Sequence, residues 1–101
     1  MGGRGASSAS GAANVRKVRN FLRGEGFSVV FALQESTASG DFDEAWSNLM
    51  YGHGYPTDYA KRNRRSFNEN KSRAKSTISR FIGESGMSLD DFRDAVKKGW
   101  S

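Results

Sequence analysis

Residues 27–34 read FSVVFALQ and contain the longest apolar run of the chain, Val29 to Leu33. Whether they form a strand or a helix decides the fold class. Phe27, Val29, Phe31 and Leu33 alternate as the inner face of a half-buried strand would. Ser28 serves equally well as the cap of a helix running to Ser36. No other stretch reads as a strand, and a lone strand leaves its backbone donors and acceptors unpaired. The balance tips towards a helix. A strand here would need its partner from a second copy of the protein, that is, a homodimer.

Outward from this stretch the helical signals are clearer. Asp41 with Glu44 three residues later has the form of a capping box. Phe42, Ala45, Trp46, Leu49 and Met50 follow at i, i+3, i+4, i+7 and i+8, and Gly52, Gly54 and Pro56 end the helix in the loop YGHGYP. Thr57 caps a short basic helix, and Ser66 with Glu69 opens another that runs to about Ile82. Ser88 and Asp91 pair in the same way, with Met87 and Phe92 spaced as a hydrophobic staple. On the N-terminal side, Asn14 is a good N-cap for a helix whose stripe is Val15, Val18 and Leu22, with Gly24 placed to end it. Residues 1–13, MGGRGASSASGAA, offer nothing to bury and are expected to be a flexible arm.

The expected fold is therefore mainly α, a compact bundle of five or six short helices, with 27–34 as the one candidate strand. Residues 14–101 make a single helical domain. Phe21, Phe42, Trp46, Phe67, Phe81, Phe92 and Trp100 supply its aromatic core, each burial being worth roughly 1.5–3 kcal/mol.

The function classes narrow quickly. The chain has 101 residues and no cysteine, so disulfides, thiolate nucleophiles and cysteine metal sites are excluded. No segment approaches the roughly 18 apolar residues of a membrane span, and Arg4 has no hydrophobic region behind it, so a cytoplasmic protein without a membrane partner is expected. The one histidine, His53, sits in a glycine loop, and with Asp58 it supplies two metal ligands at best. Asp41, Asp43 and Glu44, like Asp90 and Asp91, lie in first turns, where they stabilise the helix dipole without any catalytic role. No phosphate-binding glycine fingerprint is present. The chain is not expected to be an enzyme or to carry a metal or cofactor.

Charge is the feature left over. The net charge of +5 is segregated: residues 34–60 carry five acidic side chains and no basic one, whereas residues 61–80 carry eight basic and one acidic. A separation of this kind gives a field with direction, which steers a polyanion to one side. The eight are Lys61, Arg62, Arg64, Arg65, Lys71, Arg73, Lys75 and Arg80, with Ser72, Ser76 and Ser79 between them as short donors to phosphate oxygens. Arg16, Lys17 and Arg19 are candidates to extend the patch, and Tyr51, Tyr55 and Tyr59 are candidates to stack on bases. An ordinary solvated helix would intersperse acidic partners at i+4, but here only Glu69 is on offer. A break near Ser66 would also allow docking in the manner of a helix-turn-helix.

The opening MGGRGASS resembles the starts of small accessory proteins of bacteriophages and mobile elements of Gram-positive bacteria. The likeness covers eight residues. It implies a protein acting inside a bacterial host, in a group that includes head-assembly factors, DNA-binding regulators and anti-CRISPR inhibitors. The expected function is thus non-enzymatic binding of nucleic acid or a nucleoprotein complex through the 61–80 face. The alternative is a phage-encoded protein–protein inhibitor of a host defence nuclease.

Overall fold

Residues 27–34 fold as a helix. The computed structural model describes the backbone of residues 3–100 and the side chains of residues 11–100. It contains α1 Gly3–Arg23, α2 Phe27–Glu35, α3 Phe42–Tyr51, α4 Asp58–Arg62, α5 Arg64–Ser85 and α6 Leu89–Lys98. The described residues form a compact, mainly α bundle without a strand.

The period of burial in α2 shows why the strand reading fails. Val29, Ala32 and Leu33 are fully buried, at i, i+3 and i+4, while Phe27 on the supposed inner face is 66% exposed. The alternation is an accident of composition. Ser28 is not the cap; it lies inside the first turn, and the N-cap is Gly26, which makes no side-chain cap bond. Glycine is needed there because a Cβ would lie 2.6 Å from the Phe21 ring. At the other end the Ser36 hydroxyl donates to the Ala32 carbonyl at 2.6 Å.

Elsewhere the caps explain the boundaries. Asp41 accepts from the Glu44 amide at 2.9 Å, but Glu44 does not complete a box; its carboxylate accepts from the Tyr55 amide instead. Gly52, at φ 76°, closes α3 in the left-handed region. Thr57 accepts from the Ala60 amide and Ser88 from the Asp91 amide. Met87 and Phe92 are both buried in the core, as a staple requires.

Two expected helix starts move. The break between α4 and α5 falls at Asn63 (φ −117°, ψ 48°), so Ser66 sits within α5 rather than opening it. α5 also continues past Ile82 to Ser85, where Gly86 ends it at φ 74°. α1 spans Gly3–Arg23, which places Asn14 inside a helix and not at its start. Met1, Gly2 and the side chains of residues 3–10, which make up most of the expected flexible arm, lie outside the described residues.

The core is aromatic and centres on Phe92, which no solvent reaches. The rings of Phe81, Phe21 and Trp46 surround it at 5.8, 6.0 and 6.2 Å between centroids, and Phe21 stacks on Phe81 at 4.2 Å. These contacts tie α1, α3, α5 and α6 together. α2 packs chiefly on α5, and α1 chiefly on α6. Trp100 locks the C-terminal end by donating its indole N–H to the Gly40 carbonyl at 2.9 Å, with its ring edge-on to Phe42. No helix among the described residues is long and apolar enough to cross a membrane.

Candidate nucleic-acid interface

α4 and α5 carry all eight cations of the 61–80 run, and the helix geometry sorts them. At about 100° per residue, Arg64, Lys71 and Lys75 project within about 40° of one another, while Arg73 and Arg80 project from roughly the opposite flank. Arg65 and the exposed Ser72 and Ser76 lie on the crest between them. The eight cations therefore do not make one uniform face. They form a row of three on one flank of α5, a pair on the other, Arg65 on the crest between, and Lys61 and Arg62 exposed on α4.

The fold treats these groups differently. Arg80 reaches across to α1's end and pairs with Glu25, Nη1 to Oε2 3.2 Å. Arg73 donates to the Asn70 side chain at 3.3 Å. Arg65 and Glu69 face each other at 3.9 Å with both side chains largely in water, which contributes little. Arg64, Lys75, Lys61 and Arg62 make no ion pair with any described carboxylate.

Lys71 holds the row in place. It is half-buried, its Nζ donating to Asn48 Oδ1 at 3.2 Å and standing 4.6 Å from the Phe67 ring centroid. Asn48 is itself buried and donates from Nδ2 to the Ser36 carbonyl at 2.9 Å. One asparagine thus links the end of α2, α3 and the basic flank of α5. Replacing Asn48 with alanine is expected to cost about 1–3 kcal/mol in urea denaturation, since it orphans a buried carbonyl and the Lys71 ammonium together.

Burial pushes the Lys71 pKa below that of a free lysine, and repulsion from Lys75 and then Arg64 pushes it the same way. The folded-state value is therefore the depressed one. The penalty on the protonated form is fully present below that value and disappears as pH rises to the free-lysine value. In an NMR titration, Lys71 is expected to lose its proton at lower pH than a free lysine does. Lys75→Gln should move its midpoint back upward; an unmoved midpoint would show that the two ammonium groups do not share a flank.

Of the three tyrosines, Tyr51 and Tyr55 are exposed by 66% and 74%, with no ring partner among the described residues. Tyr59 is half-exposed and meets Phe31 edge-on at 6.5 Å. It lines a groove of about 530 Å³ with Phe27, Phe31, Phe67 and Arg73, on the Arg73 flank of α5. Comparison with known protein families, curated proteins and solved structures finds no match.

Arg16, Lys17 and Arg19 are exposed on α1. Arg19 lines a groove shared with α2 and α6 that no α5 residue enters. His53 is exposed in the α3–α4 loop, and no group of three or more His, Asp or Glu side chains among the described residues is placed to hold a metal. The sequence held no clear sign of Asn48 as an anchor or of Glu25 as the partner of Arg80. Both depend on contacts between residues 23 and 55 positions apart.

Proposed function

We propose that this chain is a non-enzymatic binding protein that holds nucleic acid by its phosphates, along the Arg64–Lys71–Lys75 flank of α5. The observation that carries the reading is the row itself. Three cations share one flank of a single helix, none of them in an ion pair with a carboxylate among the described residues, and repulsion from Lys75 and Arg64 adds to the effect of burial on Lys71. At 1.5 Å rise per residue they are spaced by about 10 and about 6 Å along the helix. Arg64 supplies a planar fork matched to a phosphate, and Lys71 and Lys75 supply point charges. Lys61 and Arg62 lie one helix earlier, across the Asn63 joint, and add charge at the Arg64 end. Exposed Tyr51 and Tyr55 are available to stack on unpaired bases.

The test is retention of labelled single-stranded DNA, duplex DNA and RNA by the wild-type chain and by an Arg64→Glu, Lys75→Glu double variant. Wild-type retention that the variant loses, with helical circular dichroism unchanged, supports the reading. Equal retention by both removes it. A partner protein that survives nuclease treatment of a pull-down, and is released by the same double variant, would move the reading to an acidic protein surface.

A further inference from the structure

The groove that takes Arg19 has the makings of a second docking surface. It is a trough of about 510 Å³ between α1, α2 and α6, open on one side, with Val15, Leu22, Val30, Leu33, Val96 and Trp100 among its walls. Val15, Leu22, Val30 and Trp100 are only partly covered, so apolar surface is left facing water. Among the described residues, the only charged side chains lining it are Arg19 and Arg23, and no Asp or Glu lines it. Arg16 precedes them on the same flank, giving arginines at i, i+3 and i+7 along one edge, within about 60° by helical geometry. None of the three forms an ion pair among the described residues.

We infer that this trough is the docking site for an amphipathic helix of a partner protein, carrying an apolar stripe edged by Asp or Glu. The complementarity is twofold. Aliphatic walls contributed by successive turns of α1 and α2 accept side chains at i, i+3 or i+4, and i+7. The arginine edge repeats at the same spacing, so a row of carboxylates on a helix laid alongside meets one guanidinium per turn. A small anionic ligand would engage one or two of these arginines and leave the rest of the row unmatched. The site lies apart from the α5 flank and does not depend on it.

The experiment is selection of binders from a displayed library of helical peptides, using the full chain as bait. Enriched peptides are expected to carry Leu, Ile or Phe at helical spacing, flanked by Asp or Glu. Arg19→Glu with Arg23→Glu should weaken a selected peptide about tenfold, from two rim pairs of modest strength reversed. The same variant used as bait should select lysine or arginine in place of the acids. Val30→Arg, with unchanged helical circular dichroism, should abolish binding by filling the trough, whereas Arg64→Glu with Lys75→Glu should leave it unchanged. Peptides without an acidic edge, failure to enrich any helical pattern, or indifference to Val30→Arg would each overturn the inference. So would saturable binding of decanoate in the trough with no peptide selected, which would make it a small-molecule site.

Discussion

Phe92→Ala is expected to remove about 3–5 kcal/mol of stability, the range for emptying a fully buried phenylalanine site. Phe92 has no solvent-exposed surface, and three aromatic rings from three other helices stand within 6.2 Å of its centroid. The ring walls resist collapse, because Phe21 and Phe81 are already stacked on each other and Trp46 is held against Phe42 at 6.0 Å. The space left behind therefore stays largely empty. For a domain of this size such a loss approaches the whole margin of folding, typically about 5–15 kcal/mol. Thermal unfolding followed by circular dichroism should show the variant partly unfolded at room temperature or melting far below the wild type. A small shift in melting temperature would mean that Phe92 is not the centre of the core.

The second large effect concerns binding. Each cation that neutralises a phosphate releases counterions, so affinity scales with salt concentration to a power near −0.7 to −0.9 per contact. At 0.1 M salt, losing two contacts therefore weakens binding on the order of 25- to 60-fold. Arg64→Glu with Lys75→Glu loses two and adds two repulsive charges beside the remaining Lys71, so the loss should exceed that figure. Arg65→Glu with Arg80→Glu reverses the same amount of charge elsewhere on the same helix, at residues already facing Glu69 and Glu25. That pair should lose much less. Fluorescence anisotropy of a labelled oligonucleotide separates the two outcomes, and equal losses would mean that net charge, and not the row, governs binding.

The comparison between these two pairs also shows what the sequence can and cannot convey. The density of cations between Lys61 and Arg80 is legible from the residues alone, and so is the α3 helix with its Asp41 cap and its buried stripe. Which cations share a flank follows from helical geometry once the start of α5 is known. The capping pair Ser66 and Glu69 suggested a start within the run, whereas the helix begins at Arg64, where Asn63 makes no side-chain cap bond. Local capping chemistry was a poor guide there because α5 is held by burial of Phe67, Ala74 and Ile78. The same holds for α2. Its alternating phenylalanines suit a strand locally, yet burial of Val29, Ala32 and Leu33 requires a helix. Pairings such as Arg80 with Glu25 and Lys71 with Asn48 leave no local trace, since neither partner's neighbourhood marks it.

The salt dependence of oligonucleotide binding reports how many cations meet phosphates. If Arg64, Lys71 and Lys75 act with Lys61 and Arg62, the plot of log affinity against log salt should have a slope of about −3.5 to −4.5. Arg64→Gln with Lys75→Gln should reduce its magnitude by about 1.4–1.8. A wild-type slope near zero, or one that the double variant leaves unchanged, would contradict a phosphate-binding row on α5.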